Sequence, residues 1–226
     1  GLGDVYKRQI YVASNLAPNI EIILPENGTI ALNHPLTASR YSTCSTRTAH
    51  PYVIKELNEI AQILNLPNNI MNPYEFKTKG EMVEECADRE LFKITYPLSC
   101  SCAKRGTRKD IRENRHAINC GICMPCIYRR AALHKIGLDT EDIGTNALNP
   151  NDLIRDLMHI PDMPAFLDFL AHDLSKKEIE ANLLCNGSLP LNELSNYADV
   201  VVRVREELKK WIEDKGNEEI KHRIHI

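Results

Sequence analysis

Cys120, Cys123 and Cys126 place three thiols within seven residues, and Cys100 and Cys102 lie about twenty residues upstream. Thiolates separated by two residues can converge on one ion through a tight turn, which is how tetrahedral zinc sites are closed. Gly121 frees the backbone for such a turn, and Pro125 stiffens its exit. A Cys-x2-Cys-x2-Cys run also opens some iron–sulfur signatures, but here Ile127 to Leu133 reads as a helix rather than the approach to another cluster ligand. Zinc is the expectation; an iron–sulfur cluster and redox or disulfide use are the alternatives. On spacing alone the fourth ligand stays open between Cys100, Cys102 and His116, since imidazole also serves zinc. Four thiolates leave no position for water, so the expected role of the ion is structural.

The other cysteines carry less chemistry. Cys86 sits at helical spacing from Met82 and Val83 and reads as packing, and Cys44 and Cys185 read as ordinary semi-buried thiols. A nucleophile is the alternative for Cys44, which lies in a polar loop. Lys104, Arg105, Arg108, Lys109, Arg112 and Arg115 form a basic stretch inside the cysteine span. Asp110 and Glu113 interrupt it and no aromatic side chains interleave to stack bases, so a solvated excursion is expected rather than a nucleic-acid contact.

Composition bounds the class. The 226 residues are 43% hydrophobic and 26% charged, which suits a globular protein of one large or two small domains. The formal charge of −3 argues against wholesale nucleic-acid binding. The sequence has no cleavable apolar leader and no run near the roughly 18 apolar residues of a membrane span, so cytoplasmic residence with no membrane partner is expected.

These chemical residues need elements to hold them. Ile10–Ala13 and Ile20–Leu24 read as short buried strands, and Pro25-Glu26-Asn27-Gly28 as a turn. Residues 33–50 read as a polar loop, and Pro51 as the first residue of a helix with Ile54, Leu57, Ile60, Ala61 and Leu64 on one face. A second helix is expected from Lys79 to about Ala87, then a strand over Phe92–Tyr96 that delivers the chain to the cysteines. Beyond them the spacing predicts helices at Asp152–His159, Met163–Leu174, Lys176–Leu184 and Glu193–Lys215. The expected division is an α/β region over residues 10–138 and a mainly helical region over 139–226. Gly1–Gln9 resembles a translated sequencing-adapter tail, is expected to be foreign to the fold, and implies that the natural chain continues upstream.

Three segments together carry a family resemblance. Cys120-Gly-Ile-Cys-Met-Pro-Cys-Ile-Tyr-Arg129, preceded by Leu98-Ser99-Cys100-Ser101, is similar to the zinc knuckle of QueC-like proteins, the 7-cyano-7-deazaguanine synthase family. Asn72-Pro73-Tyr74 with Thr78-Lys79-Gly80-Glu81 resembles that family's turn and Thr-Lys-x-Glu helix start. Pro25–Gly28 through Ser45–Pro51 resembles most closely the QatC-type branch found in anti-phage operons. The resemblance spans about residues 20–137.

What it implies is the C-terminal part of a Rossmann-like N-type ATP pyrophosphatase (adenine nucleotide alpha hydrolase-like) fold, with a zinc knuckle and a helical C-terminal extension. The implied activity is ATP-dependent C–N ligation: adenylation of a 7-deazaguanine-type carboxylate for transfer to ammonia or a protein amine. The implied partners are that 7-deazapurine substrate, ATP and proteins of a defence operon. It selects Cys100, with Cys120, Cys123 and Cys126, as the zinc ligands. The family's Ser-Gly-Gly-x-Asp-Ser phosphate loop is not in these residues, so most of the ATP site is expected upstream and this piece alone is expected to be inactive. Such chemistry needs donors facing phosphate and carboxylate, and the loop Arg40–His50 offers Arg40, Thr46, Arg47 and His50. Arg47 and Lys79 are the expected catalytic residues; Glu26, Asn27, Arg40, Thr46 and His50 are expected to bind substrate. The bland counterparts are a solvated loop, a surface lysine and a simple Pro-Glu-Asn-Gly turn. The competing function is a non-catalytic zinc-knuckle module that binds nucleic acid or a partner protein.

Overall fold

The computed structural model describes residues 12, 15–17, 19–36, 49–103, 114–148 and 162–226. Within it the chain divides into two compact units, each assembled from two stretches: Gly1–Thr78 with Ser175–Val202, and Lys79–Leu174 with Arg203–Ile226. The expected boundary near residue 138 therefore falls inside the second unit.

The first unit contains the sheet. β1 (Ile22–Ile23) pairs in parallel with β2 (Ile70–Met71), in the register Ile22↔Ile70 and Ile23↔Met71. Parallel neighbours need a crossover, and α1 (Gly28–Leu32) and α2 (Pro51–Ile63) lie along it. The Asn58 side chain on α2 bonds both backbone groups of Ile70, donating to its carbonyl and accepting from its N–H at 2.8 Å each. That carboxamide stands where a third strand would pair. α2 starts as expected: Pro51 is its first residue, His50 Nδ1 accepts from Tyr52 N–H at 3.2 Å, and Ile54 and Ala61 are buried. α7 (Lys176–Asn186) opens with a Ser175–Glu178 capping box, and Asn186 at its end donates to the carbonyls of Leu32 and Asn33. Those carbonyls would otherwise be orphaned at the end of α1.

The second unit is helical. It holds α3 (Lys79–Glu84), α4 (Arg89–Thr95) with a 3-10 turn at Tyr96–Leu98, α5 (Met124–Lys135), α6 (Asp162–Ala171) and α9 (Glu218–Arg223). α8 (Leu194–Lys215) gives its residues to the first unit as far as Val202 and to the second from Arg203. Ile127, Leu133, Phe166, Leu170, Leu208, Trp211 and Ile220 form the buried core of the second unit. Lys135 bridges Glu84 on α3 and Glu207 on α8 at 3.1 and 3.2 Å. Arg130 forks onto Asp139, donates to Asn146, and lies 4.9 Å from the centre of the Trp211 ring, while Trp211 Nε1 donates to Asp139 at 2.8 Å.

Several expectations change. Phe92–Tyr96 is helical, not a strand: Asp88 Oδ1 caps Leu91 N–H at 2.8 Å, and Thr95 Oγ1 donates back to the Leu91 carbonyl. Phe92 and Tyr96, four residues apart, also share a helix face, where their rings stack, while Ile94 is left exposed, and the local cap favours the helix. The strand expected at Ile20–Leu24 is confined to Ile22–Ile23, and the turn at Pro25–Gly28 leads into α1 with Asn27 as its cap. The expected α/β layer is, among the described residues, only this two-stranded sheet in a mostly helical molecule. The helices expected near 163, 176 and 193 are present with shifted ends. The strand at Ile10–Ala13 and the helix at Asp152–His159 lie largely or wholly outside the described residues. No described helix is long and apolar enough to cross a membrane.

Candidate metal centre

The cysteine knuckle is built by one turn, one helix start and one strap. Gly121 takes the left-handed conformation, φ +82°, and a Cβ there would overlap the Thr145 carbonyl oxygen. The strap is the segment Ile143–Thr145. Asn119 bridges to Ile143 in parallel, Gly144 N–H donates to the Asn119 carbonyl at 2.8 Å, and Thr145 N–H donates to the Cys120 carbonyl at 3.0 Å. Cys123 is the residue before α5, and Cys126 lies in its first turn with Pro125 between them. Both thiols thus sit at a helix N-terminus, where unpaired N–H groups favour a thiolate.

Four sulfurs meet here. The Sγ atoms of Cys102, Cys120, Cys123 and Cys126 all lie within 4.8 Å of one another, and the last three cysteines are buried. Cys120 and Cys126 are 3.8 Å apart, and Cys123 and Cys126 3.4 Å. A zinc ion with Zn–S bonds of about 2.3 Å needs tetrahedral S···S edges of about 3.8 Å. The four residues therefore fit a tetrahedral thiolate site and can hold a metal ion.

Electrostatics point the same way. The Cys123 and Cys126 thiols hold Cys120 well below the ordinary thiol range by hydrogen bonding to its thiolate. The bond to Cys120 pushes Cys123 up, helped by burial and the Cys120 charge. Cys126 is pushed up by its bonds to Cys120 and Cys123 and then by burial. One negative charge in this pocket thus opposes the next, and a cation is what lets buried thiols this close ionise together.

The fourth sulfur corrects one expectation. Cys100, the ligand implied by the resemblance, is exposed and outside the group; Cys102 takes that place. The cause is local. Arg129 Nη1 donates to Ser99 Oγ at 2.7 Å and reaches Ser101 Oγ at 3.4 Å, and Ser101 N–H donates to Asn119 Oδ1 at 3.1 Å. Arg129 thus contacts the residues on both sides of Cys100, which itself stays exposed. His116 is exposed and also outside the group.

Arg40, Thr46 and Arg47 lie outside the described residues, as do Cys44 and most of the basic stretch. Asn27 is buried, capping α1 through its Oδ1 to Ile30 N–H at 3.1 Å and donating to Glu26 Oε1 at 3.1 Å. Asn72 donates to the Glu26 carbonyl at 2.7 Å. His50 is buried as the cap of α2, and Lys79 is the first residue of α3, in the second unit. Sequence reasoning missed Glu141, which with Ser99 completes the surroundings of Arg129; a lone acid 12 residues beyond its partner carries no spacing signal.

No protein-family model matches this chain, and neither a curated protein nor a solved structure does.

Proposed function

We propose that Cys102, Cys120, Cys123 and Cys126 hold one structural zinc ion in a QueC-like ATP-dependent enzyme. That enzyme adenylates a 7-deazaguanine-type carboxylate and transfers it to an amine. The observation that carries the reading is the four-sulfur cluster formed by the cysteine motif of the resemblance. Four thiolates saturate a tetrahedral ion, so it clasps the segment around Cys102 to the start of α5 and does no chemistry itself. An all-sulfur donor set at tetrahedral spacing suits zinc, a d¹⁰ ion that takes no part in redox chemistry. Within this reading Arg47 and Lys79 meet phosphate and the charge developing at the acyl carbon. Glu26, Arg40 and Thr46 orient substrate, and Asn27 and His50 act through the helix starts they cap. The Rossmann-like layer and the ATP site belong to the same proposal.

Two measurements on the protein expressed from its complete reading frame test the halves separately. Metal analysis is expected to return one zinc per chain, retained in Cys100→Ser and lost or weakened in Cys102→Ser. Pyrophosphate release from ATP is expected to depend on added 7-deazaguanine carboxylate. Zinc without any such release removes the enzyme and leaves a zinc-knuckle binding module; release with a different acid removes only the substrate.

A further inference from the structure

The Arg129 side chain, which no part of the proposed chemistry uses, is 7% exposed, and all five of its N–H donors find acceptors. Nε and Nη2 fork onto Glu141 at 2.7 and 2.9 Å, and Nη2 also donates to the Tyr96 carbonyl at 2.6 Å. Nη1 takes the two serine oxygens, Ser99 at 2.7 Å and Ser101 at 3.4 Å. Two separate segments, residues 96–101 and the one carrying Glu141, thus close on one guanidinium. A buried ion pair of this kind contributes little net stability compared with apolar side chains of equal volume. What the planar fork supplies is fixed direction, which a lysine ammonium cannot reproduce.

We propose that Arg129 is the positioning residue that selects the fourth metal ligand. By gripping Ser99 and Ser101, on either side of Cys100, it fixes the path of this segment so that Cys102, and not the exposed Cys100, meets the other three sulfurs. Two thiols one residue apart then stop competing for one coordination position. The inference rests on the metal-site reading above and concerns which sulfur binds, not which metal.

The test is Co²⁺ titration followed by visible absorption, with zinc affinity measured by competition. Cys100→Ser and Cys102→Ser are each made in the native background, in Arg129→Lys, and in Arg129→Met/Glu141→Met. The double variant leaves no unpaired buried charge, so it decides the question where Arg129→Lys does not fold. In the native background Cys102→Ser is expected to convert a four-sulfur spectrum to a three-sulfur one, with Cys100→Ser silent. In both Arg129 backgrounds zinc affinity is expected to fall about 10–100-fold, the usual cost of losing an outer-sphere contact. There Cys100→Ser is expected to become visible as the two thiols share the position. Arg129 variants that keep native affinity and depend on Cys102 alone overturn the proposal while leaving the metal site intact. A native protein that binds neither Co²⁺ nor Zn²⁺ through thiolate overturns the metal reading and this inference with it.

Discussion

Substituting Gly121 by alanine tests whether the knuckle is held by the strap over Ile143–Thr145. Two costs add. The first is the left-handed conformation at φ +82°, about 1–2 kcal/mol for a residue bearing a Cβ. The second is collision with the Thr145 carbonyl, which must retreat and loosen the bonds Thr145 N–H to Cys120 and Gly144 N–H to Asn119. Each of those contributes about 0.5–1.5 kcal/mol net. The sum is about 2–5 kcal/mol, a large part of a typical folding free energy of roughly 5–15 kcal/mol. Gly137 supplies an internal control: its φ is +74°, yet a Cβ there meets nothing within 4 Å. Gly137→Ala should therefore carry only the conformational cost. Urea unfolding of both variants, with and without saturating zinc, gives the comparison. Where the loss appears as metal affinity instead, 2–5 kcal/mol corresponds to about 30-fold to a few thousandfold. A Gly121→Ala variant no less stable than Gly137→Ala, with native zinc affinity, would refute the reasoning.

Two further perturbations address the first unit. Asn58→Ala removes both bonds to Ile70 and uncovers the outer side of β2, with an expected loss of about 1–3 kcal/mol by circular dichroism in urea; an unchanged midpoint rejects that role. Glu75 is raised above the ordinary carboxylate range, first by burial, with the Tyr197 hydroxyl bond opposing and the Glu193 charge adding. A raised folded value means stability is fully present below the unfolded pKa and is lost as pH rises through the folded one. Glu75→Gln keeps an acceptor for Tyr197 and cannot ionise, so its stability relative to the parent should grow from acidic to neutral pH. A difference that stays flat or shrinks over that range contradicts the sign.

Legibility followed the reach of the forces involved. Pro51 and the apolar spacing behind it announced α2 because caps and helix faces are local, and Cys120, Cys123 and Cys126 announced a metal site because thiol spacing is local too. Phe92–Tyr96 misled because its two aromatic residues, four apart, suit a helix face as well as a strand, and the deciding cap, Asp88, stands outside it. The segment that brings Cys102 rather than Cys100 to the other sulfurs contacts Arg129 and Asn119, 27 and 17 residues further along the chain, and pair spacing holds no trace of such contacts. Asn27 and His50, expected from the sequence to bind substrate, have side chains that cap helix starts, a use that the same residue types at turns equally support. The interleaving of the two units is likewise invisible to a reading that runs from one end of the chain to the other.

Trp211 is the sole tryptophan, wholly buried in the second unit, with its indole N–H on Asp139 and its face under Arg130. Emission excited selectively from tryptophan is consequently a reporter for that unit alone, silent about the sheet and the helices packed with it. Circular dichroism at 222 nm samples both. Melting curves from the two probes that superimpose mark a single cooperative transition, and curves that separate give each unit its own midpoint without any added label.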